Sequence, residues 1–575
     1  MIRIFRFAKS FRLLILGVVI LVFLQTIADL YLPTLMSDII DQGVMQGDTD
    51  YIMTTGGKML IIAGLGGIGA MIASFWSSRV AVGLGRILRN EVFTHVSSFS
   101  EKEFDQFGTA TLITRSTNDI TQIQNVVVMM LRMMISAPLM AIGGIILAMS
   151  KDRTLTLVFV VALPVLGLVI GVIASKGIPL FKKIQIKIDR VNLVLREKLT
   201  GIRVIRAFNR ATYERARFDE ANKDLTENYI RINRIMSFMM PSLMLVMNLT
   251  ALSILWFGII RIDSGNMEMG ALVAFTQYAM QIMFSMMMLT MMFIMVPRAQ
   301  AAAVRILEVL DTPAGIVESQ SPMVQSLVRG QVEFRNVAFR YAGAEAPAIS
   351  DIHFTAKPGE VTAIIGSTGS GKSTILNLIP RFYDIEAGEI LVDGIDVRMW
   401  GLEALRQRIG YVPQKPVLFT GTISDNLRYG RDDATPEEIQ TAAEIAQAAD
   451  FIWEFEKAYE HQVAQGGANL SGGQKQRLSI ARALVRKPEI YLFDDSFSAL
   501  DFKTDARLRS ALKPVTKDAT VILVAQRVGT VMDADRIIVL DEGKMAGMGT
   551  HKELLKICPV YREIVLSQLS EEEIA

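Results

Sequence analysis

Cysteine is all but absent: Cys558 stands alone in 575 residues. No intrachain disulfide can form, so oxidative stapling contributes nothing to the fold. Charge is also thin. Asp, Glu, Lys and Arg make up 21% of the chain and hydrophobic residues 51%, below and above the averages of a soluble domain. These shortages argue against a small secreted scaffold, a disordered chain, a collagen and a wholly soluble enzyme. The sum of 60 Lys+Arg and 58 Asp+Glu hides a split. Residues 1–330 carry 32 basic and 23 acidic side chains (32 − 23 = +9), and residues 331–575 carry 28 and 35 (28 − 35 = −7). Methionine follows the same line, with 27 of 32 in the first 300 residues. Two regimes share one chain.

What the first regime has is long apolar runs. Six lie near Leu13–Ile40, Gly56–Ser78, Val126–Met149, Thr154–Ser175, Met236–Ile262 and Gly270–Val296. Each is long enough for a hydrocarbon core of about 30 Å, which takes roughly 20 helical residues. The first is too long for a cleavable leader and keeps Asp29, Pro33 and Asp38. Arg3, Arg6, Lys9 and Arg12 precede it, whereas Asp41–Thr55 holds no Lys or Arg. Residues 176–234 hold fifteen. The bias puts the N-terminus, that long connection and the second regime on the cytoplasmic side of the cell membrane. Lys151 and Arg153 disagree, since they fall in a short turn that should lie outside. The connections Arg79–Asn125 and Lys176–Ile235 keep a helical rhythm, so they are expected to carry helices far below the bilayer. A pair of solvated loops is the alternative.

The expected organisation is a transmembrane domain over 1–310, a linker over 311–330 and a nucleotide-binding domain over 331–575. In the last, the buried-strand run Val361–Ile365 leads into Gly366-Ser367-Thr368-Gly369-Ser370-Gly371-Lys372-Ser373, with a helix following from Thr374. This is a phosphate-binding loop in its required setting: glycines let backbone N–H groups surround a phosphate, Lys372 reaches its oxygens, and Ser373 ligates Mg²⁺. A second strand, Ile490–Phe493, ends in Asp494-Asp495, where a carboxylate typically holds the metal.

Between these elements stands Leu470-Ser-Gly-Gly-Gln-Lys-Gln-Arg477. With it the sequence resembles the ATP-binding cassette (ABC) family, and six spans fused to one cassette are similar to its exporter-type half-transporters. The implied fold is an α-helical transmembrane domain, extended by long cytoplasmic helices, fused to an α/β P-loop domain. The resemblance implies that Tyr341 stacks on adenine, that the loop from Gly366 to Ser373 with Thr374 and Gln414 binds ATP, and that Ser373, Gln414 and Asp494 hold Mg²⁺. Ser498-Ala-Leu-Asp501 matches the D-loop. It further implies a head-to-tail dimer in which Ser471 and Gly473 act on ATP bound to the partner.

Two departures bear on mechanism. The family's catalytic glutamate is replaced by Asp495, one methylene shorter, and its switch histidine by Gln526; none of His95, His353, His461 and His551 falls at that position. Loss of a general base typically costs about 10²–10⁴-fold, so the chain's own ATP is expected to be hydrolysed slowly. A sound signature beside a weak site resembles the degenerate-site subunit of bacterial heterodimeric multidrug exporters. The partner would then be a half-transporter with the consensus glutamate and histidine. Drift within a slow homodimer is the alternative. Gln465 also replaces the acid that usually precedes the signature.

For the substrate, methionines crowd the sixth run from Met280 to Met295, and Met236, Met240, Met244 and Met247 stripe the fifth. Flexible thioethers suit an adaptable cavity but also ordinary packing; Met287 and Met291 are the candidates. Asp29 with Gln25 stands where charge is costly and therefore functional by default, and Arg132 is similar nearer one end. The expectation is ATP-driven efflux of hydrophobic or amphipathic compounds. The rivals are a dedicated exporter of one peptide, lipid or haem-like molecule, and a subunit that uses ATP only as a structural clamp. No protease domain precedes the first run, which weakens the processed-peptide rival. Six spans exclude a soluble cassette acting on nucleic acid.

Overall fold

The computed structural model describes residues 2–319, 321–326 and 329–569. Residues 320, 327 and 328 of the expected linker lie outside the described residues. Two compact units divide the chain: Met1–Val96 with Ala110–Thr312, and Ser97–Thr109 with Pro313–Ala575.

Among the described residues six helices are long and apolar enough to cross a membrane, all lying almost wholly in the first unit: Arg3–Val44, Thr49–Ser97, Thr109–Lys151, Leu157–Thr200, Ala211–Asp263 and Met269–Asp311. They outrun the apolar runs because the helical pattern continues after the hydropathy fades. Both long connections are helical through most of their length, so solvated loops are excluded there. Small residues set the close approaches. A Cβ at Gly143 would stand 2.6 Å from Leu30, and one at Gly144 2.8 Å from Ile282; glycine therefore lets the third span pack tightly on the first and sixth. Phe159 stacks on Phe275 at 5.3 Å in a cluster with Ile254, Tyr278 and Ile282. Exposed side chains such as Leu60, Leu168 and Trp256 cover the outside, an apolar area far beyond what a soluble surface carries.

Buried charges in this unit are matched, as the cost of an unpaired one requires. Arg305 Nε donates to the buried Asp119 at 2.8 Å, and Arg261 Nε to the buried Asp152 at 2.6 Å. Lys151, the basic residue at odds with its expected outer turn, donates to Ser37 Oγ at 3.1 Å and lies 3.9 Å from Asp38. Local pairing of its charge accounts for the exception.

The second unit is built on a six-stranded sheet in the order 544–549, 536–541, 361–366, 520–524, 490–494, 409–412. All neighbours are parallel except the first pair. The inner strands are continuous apolar runs, as burial on both faces demands. A four-stranded antiparallel sheet, ordered 349–356, 332–339, 387–392, 395–396, packs beside it. One core lies around Phe334, Ile364, Ile375, Trp400 and Leu492. The other packs the helices Pro436–Ile445 and Gly472–Arg486 around Leu478, Leu484 and Phe493. Parallel order brings the C-terminal ends of Val361–Gly366, Ile490–Asp494 and Thr520–Val524 side by side, where ligands of open α/β sheets bind.

Candidate functional site

The phosphate loop leaves the strand Val361–Gly366 and enters the helix Lys372–Leu378. Its glycines are obligatory. Gly371 has φ +92° and a Cβ there would meet Ile349 at 2.4 Å; one at Gly366 would meet the Leu540 carbonyl at 2.2 Å. The loop is thus a cradle of bare backbone. Lys372 Nζ donates to the Gly366 and Ser367 carbonyls at 2.8 and 2.6 Å, and the buried Ser370 hydroxyl has no partner among the described residues. Ser373 Oγ donates to Asp494 Oδ1 at 2.8 Å. Burial pushes the Asp494 carboxyl up from the usual range against that hydrogen bond, with Asp495 adding to the rise. Burial also holds the Lys372 ammonium below its ordinary value. A cradle of donors, an orphaned hydroxyl and a buried hydroxyl–carboxylate pair short of positive charge fit a nucleotide phosphate and a divalent cation.

Asp495, at the turn after the strand, has φ +45°, a conformation that Asp tolerates better than most residues. Its backbone N–H donates to the Val524 carbonyl at 3.0 Å. One carboxylate oxygen, Oδ2, accepts from both Gln414 Nε2 at 3.3 Å and Gln526 Nε2 at 3.1 Å. Thus Gln414 and Gln526 meet on one oxygen of Asp495. Thr374 Oγ1 and Tyr341 OH are 3.0 Å apart, which seats Tyr341 against the phosphate-loop helix. Its ring packs edge-on to Phe339 and Tyr383 and borders a 610 Å³ cavity with Lys102, Asp105 and Tyr383.

Ser471 and Gly473 stand apart from this cluster, at the N-terminus of the helix Gly472–Arg486. Ser471 is its N-cap: Gln474 N donates to Ser471 Oγ at 3.2 Å, and Ser471 N donates to Gln474 Oε1 at 2.8 Å. This reciprocal cap presents the exposed Ser471 and the positive helix end outward. Gln465, in the place of the family's acid, is exposed.

Sequence reasoning passed over two residues here. Arg527 Nη2 donates to the Ser498 carbonyl at 3.0 Å, tying the switch segment to the D-loop. Gln568 holds the same segment from the C-terminal side, donating to the Gln526 carbonyl and accepting from Val528 N–H, both at 2.8 Å. Adjacency to Gln526 was a faint signal for Arg527; Gln568 had none.

In the membrane unit, Met287 packs half-buried against a cluster containing Leu166, Leu243, Val246 and Met283, whereas Met291 is exposed. Asp29 is half-buried, with Gln25 one turn before it on the same helix, and Arg132 reaches Ser74 Oγ at 3.5 Å.

A parallel-sheet ATPase module and a six-helix membrane unit on one chain define an ATP-driven membrane transporter. Comparison with known proteins agrees. Residues 14–286 match the model of the ABC transporter transmembrane region, and residues 349–498 a second model described as ABC transporter. An uncharacterized ABC transporter ATP-binding protein of Mycobacterium tuberculosis is 44% identical over 97% of both chains. The ATP-dependent lipid A-core flippase of Pseudomonas aeruginosa is 34% identical over 86% of this chain and 82% of its own. The solved structure of a bacterial Atm1-family ABC exporter with ATP bound superposes with a TM-score of 0.80 at 27% identity, covering 97% of this chain and 99% of that one. The chain belongs to the ABC transporter family, as an exporter-type half-transporter whose cassette is a transport ATPase. It is a multipass membrane protein.

Proposed function

We propose that the chain is one half of a heterodimeric exporter of hydrophobic or amphipathic compounds, holding a slow ATP site of its own and lending Ser471 and Gly473 to a fast site on its partner. The observation that carries this is the convergence of Gln414 and Gln526 on Asp495 beside a complete signature cap. In this reading Lys372 and the loop amides bind the phosphates, Tyr341 takes the base, and Ser373, Gln414 and Asp494 hold Mg²⁺. The ion, when bound, neutralises phosphate oxygens. Asp495 is short for reaching a water, and the oxygen that would take its proton already receives two amide donors. Gln526 donates a neutral hydrogen bond where a histidine would bring a titratable proton. ATP is therefore retained longer here than at the partner's site, and its binding closes the cassettes. The fifteen basic residues of 176–234 support a cytoplasmic position for the long hairpins and the cassette in the cell membrane, so closure would turn the spans outward.

Co-expression with a half-transporter carrying the consensus glutamate and switch histidine is expected to give a one-to-one complex with much higher ATPase than this chain alone. Equal rates for homodimer and complex would refute the asymmetric reading. A second reading, lipid as the exported compound, is favoured by the 34% identity to a lipid A-core flippase. Stimulation of the complex by lipid A but by no small amphiphile would decide for it.

A further inference from the structure

We propose that Asp29, with Gln25 and Gln281, recognises the cationic group of an amphipathic substrate; this rests on the exporter reading above and narrows its substrate class. Asp29 lies well inside the first span, within the helix Arg12–Asp38. Several carboxylates elsewhere in the same unit are matched by cations, among them Asp38 by Lys151, Asp119 by Arg305 and Asp152 by Arg261, whereas Asp41 accepts from the Gly270 N–H. Among the described residues no Lys, Arg or His within 4.0 Å pairs with Asp29. Gln25, one turn earlier on the same helix, brings a neutral amide to its side. An intramembrane carboxylate left without a cation is costly and marks a functional position.

Gln281, on the sixth span, brings a second acceptor to the same place. Its Nε2 donates to the Asp29 backbone carbonyl at 3.0 Å, while its Oε1 is buried without a partner among the described residues. About one and a half turns further along the first span, Thr34 Oγ1 meets Tyr278 OH at 2.6 Å, which pins the register of the two helices. The seam therefore offers a carboxylate and an unsatisfied amide oxygen, both acceptors, with no competing cation. That combination suits an ammonium or similar cationic donor.

The direction of Asp29 agrees. Leu16, Ile20, Leu24, Ile27 and Tyr31 are all exposed. At about 100° per residue they form one apolar stripe, and Asp29 lies roughly 180° from its centre. The carboxylate thus points away from the face suited to lipid, on the side of the helix that turns toward the other spans.

The test is equilibrium binding to the full-length chain in phosphatidylcholine nanodiscs, with ethidium as cationic probe and N-phenyl-1-naphthylamine as neutral probe. Asp29→Asn is expected to weaken ethidium binding about tenfold, the scale of losing one partly desolvated charge partner, and to leave the neutral probe unchanged. Asp29→Glu should restore ethidium binding, and Gln281→Leu should weaken it less than Asp29→Asn does. Equal loss of both probes on Asp29→Asn, no loss of ethidium, or no ethidium binding by the unaltered chain would each overturn the inference. ATP-driven export is measured separately on the complex. Asp29-dependent binding without export would leave this site standing and remove the efflux reading; export with Asp29-independent binding would do the opposite.

Discussion

One cassette carries two half-sites that differ in how completely they are built. The signature half is closed on itself: Ser471 and Gln474 cap each other, and Ser471 stands exposed at the helix N-terminus. The phosphate-loop half has a complete cradle in Gly366, Gly371, Lys372 and Ser373, yet its reactive corner is turned inward, with two glutamine amides on the Asp495 carboxylate. Binding and chemistry are thus separable on the same chain. The groups that hold phosphate depend on backbone conformation and survive a change of side chain at Asp495. The groups that move a proton depend on reach, and one methylene alters it.

The sharpest way to break this comparison is to damage each half in turn within the heterodimer. Ser471→Ala removes a donor and the helix cap from the half lent to the partner. Steady-state ATPase is expected to fall about 10²-fold, the usual effect of losing one preorganised transition-state donor. Asp495→Ala should lower it far less if, as proposed, that carboxylate belongs to the slow site. The reverse ranking would put the working site on this chain.

A smaller effect, of opposite sign, sharpens the same contrast. Asp495→Glu with Gln526→His returns the longer carboxylate and an imidazole to a corner where Ser373 and Asp494 are already paired at 2.8 Å. With the partner's own glutamate disabled to silence the other site, turnover should rise about tenfold, or roughly 1.4 kcal/mol of barrier. The rescue is partial because the donor facing this nucleotide comes from the partner's signature. No gain, even with that signature restored, would show that the two substitutions accompany the slow site without causing it.

Much of this was legible in the sequence, for a physical reason that also sets its limit. Six apolar runs and a glycine loop between a strand and a helix are local patterns, so periodicity and spacing reveal them. Span ends were not legible: Thr49–Ser97 and Leu157–Thr200 stay helical well past their apolar cores, because helix propagation needs only compatible residues. Nor were contacts between distant positions. Gln281 meets Asp29 across 252 residues, and Glu103, in the segment Ser97–Thr109, accepts from Gly315 N–H at 3.2 Å. Lys151 looked anomalous for the same reason, since its partners Ser37 and Asp38 belong to another span.

The smallest expected effect concerns Gln568, which no local pattern announced. Its amide brackets Arg527, donating to the carbonyl before it and accepting from the N–H after it, both at 2.8 Å. Gln568 is exposed, so each bond contributes modestly, on the order of 0.5–1.5 kcal/mol. Their purpose, if they position the switch residue, appears only when that residue limits the rate. On the proposed reading Gln526 serves the slow site of the unaltered heterodimer, so Gln568→Ala should change turnover little. In the chain bearing Asp495→Glu and Gln526→His the new imidazole must be aimed, and Gln568→Ala is expected to remove about threefold of the gain, the equivalent of one modest hydrogen bond. The rate constant at saturating ATP should carry the loss while KM stays fixed, because Lys372 and the loop amides are untouched. Equal losses in both backgrounds would mean that Gln568 supports the cassette's stability in general; no loss in the rescued chain would mean that Arg527 and its bond to the Ser498 carbonyl hold the switch without help.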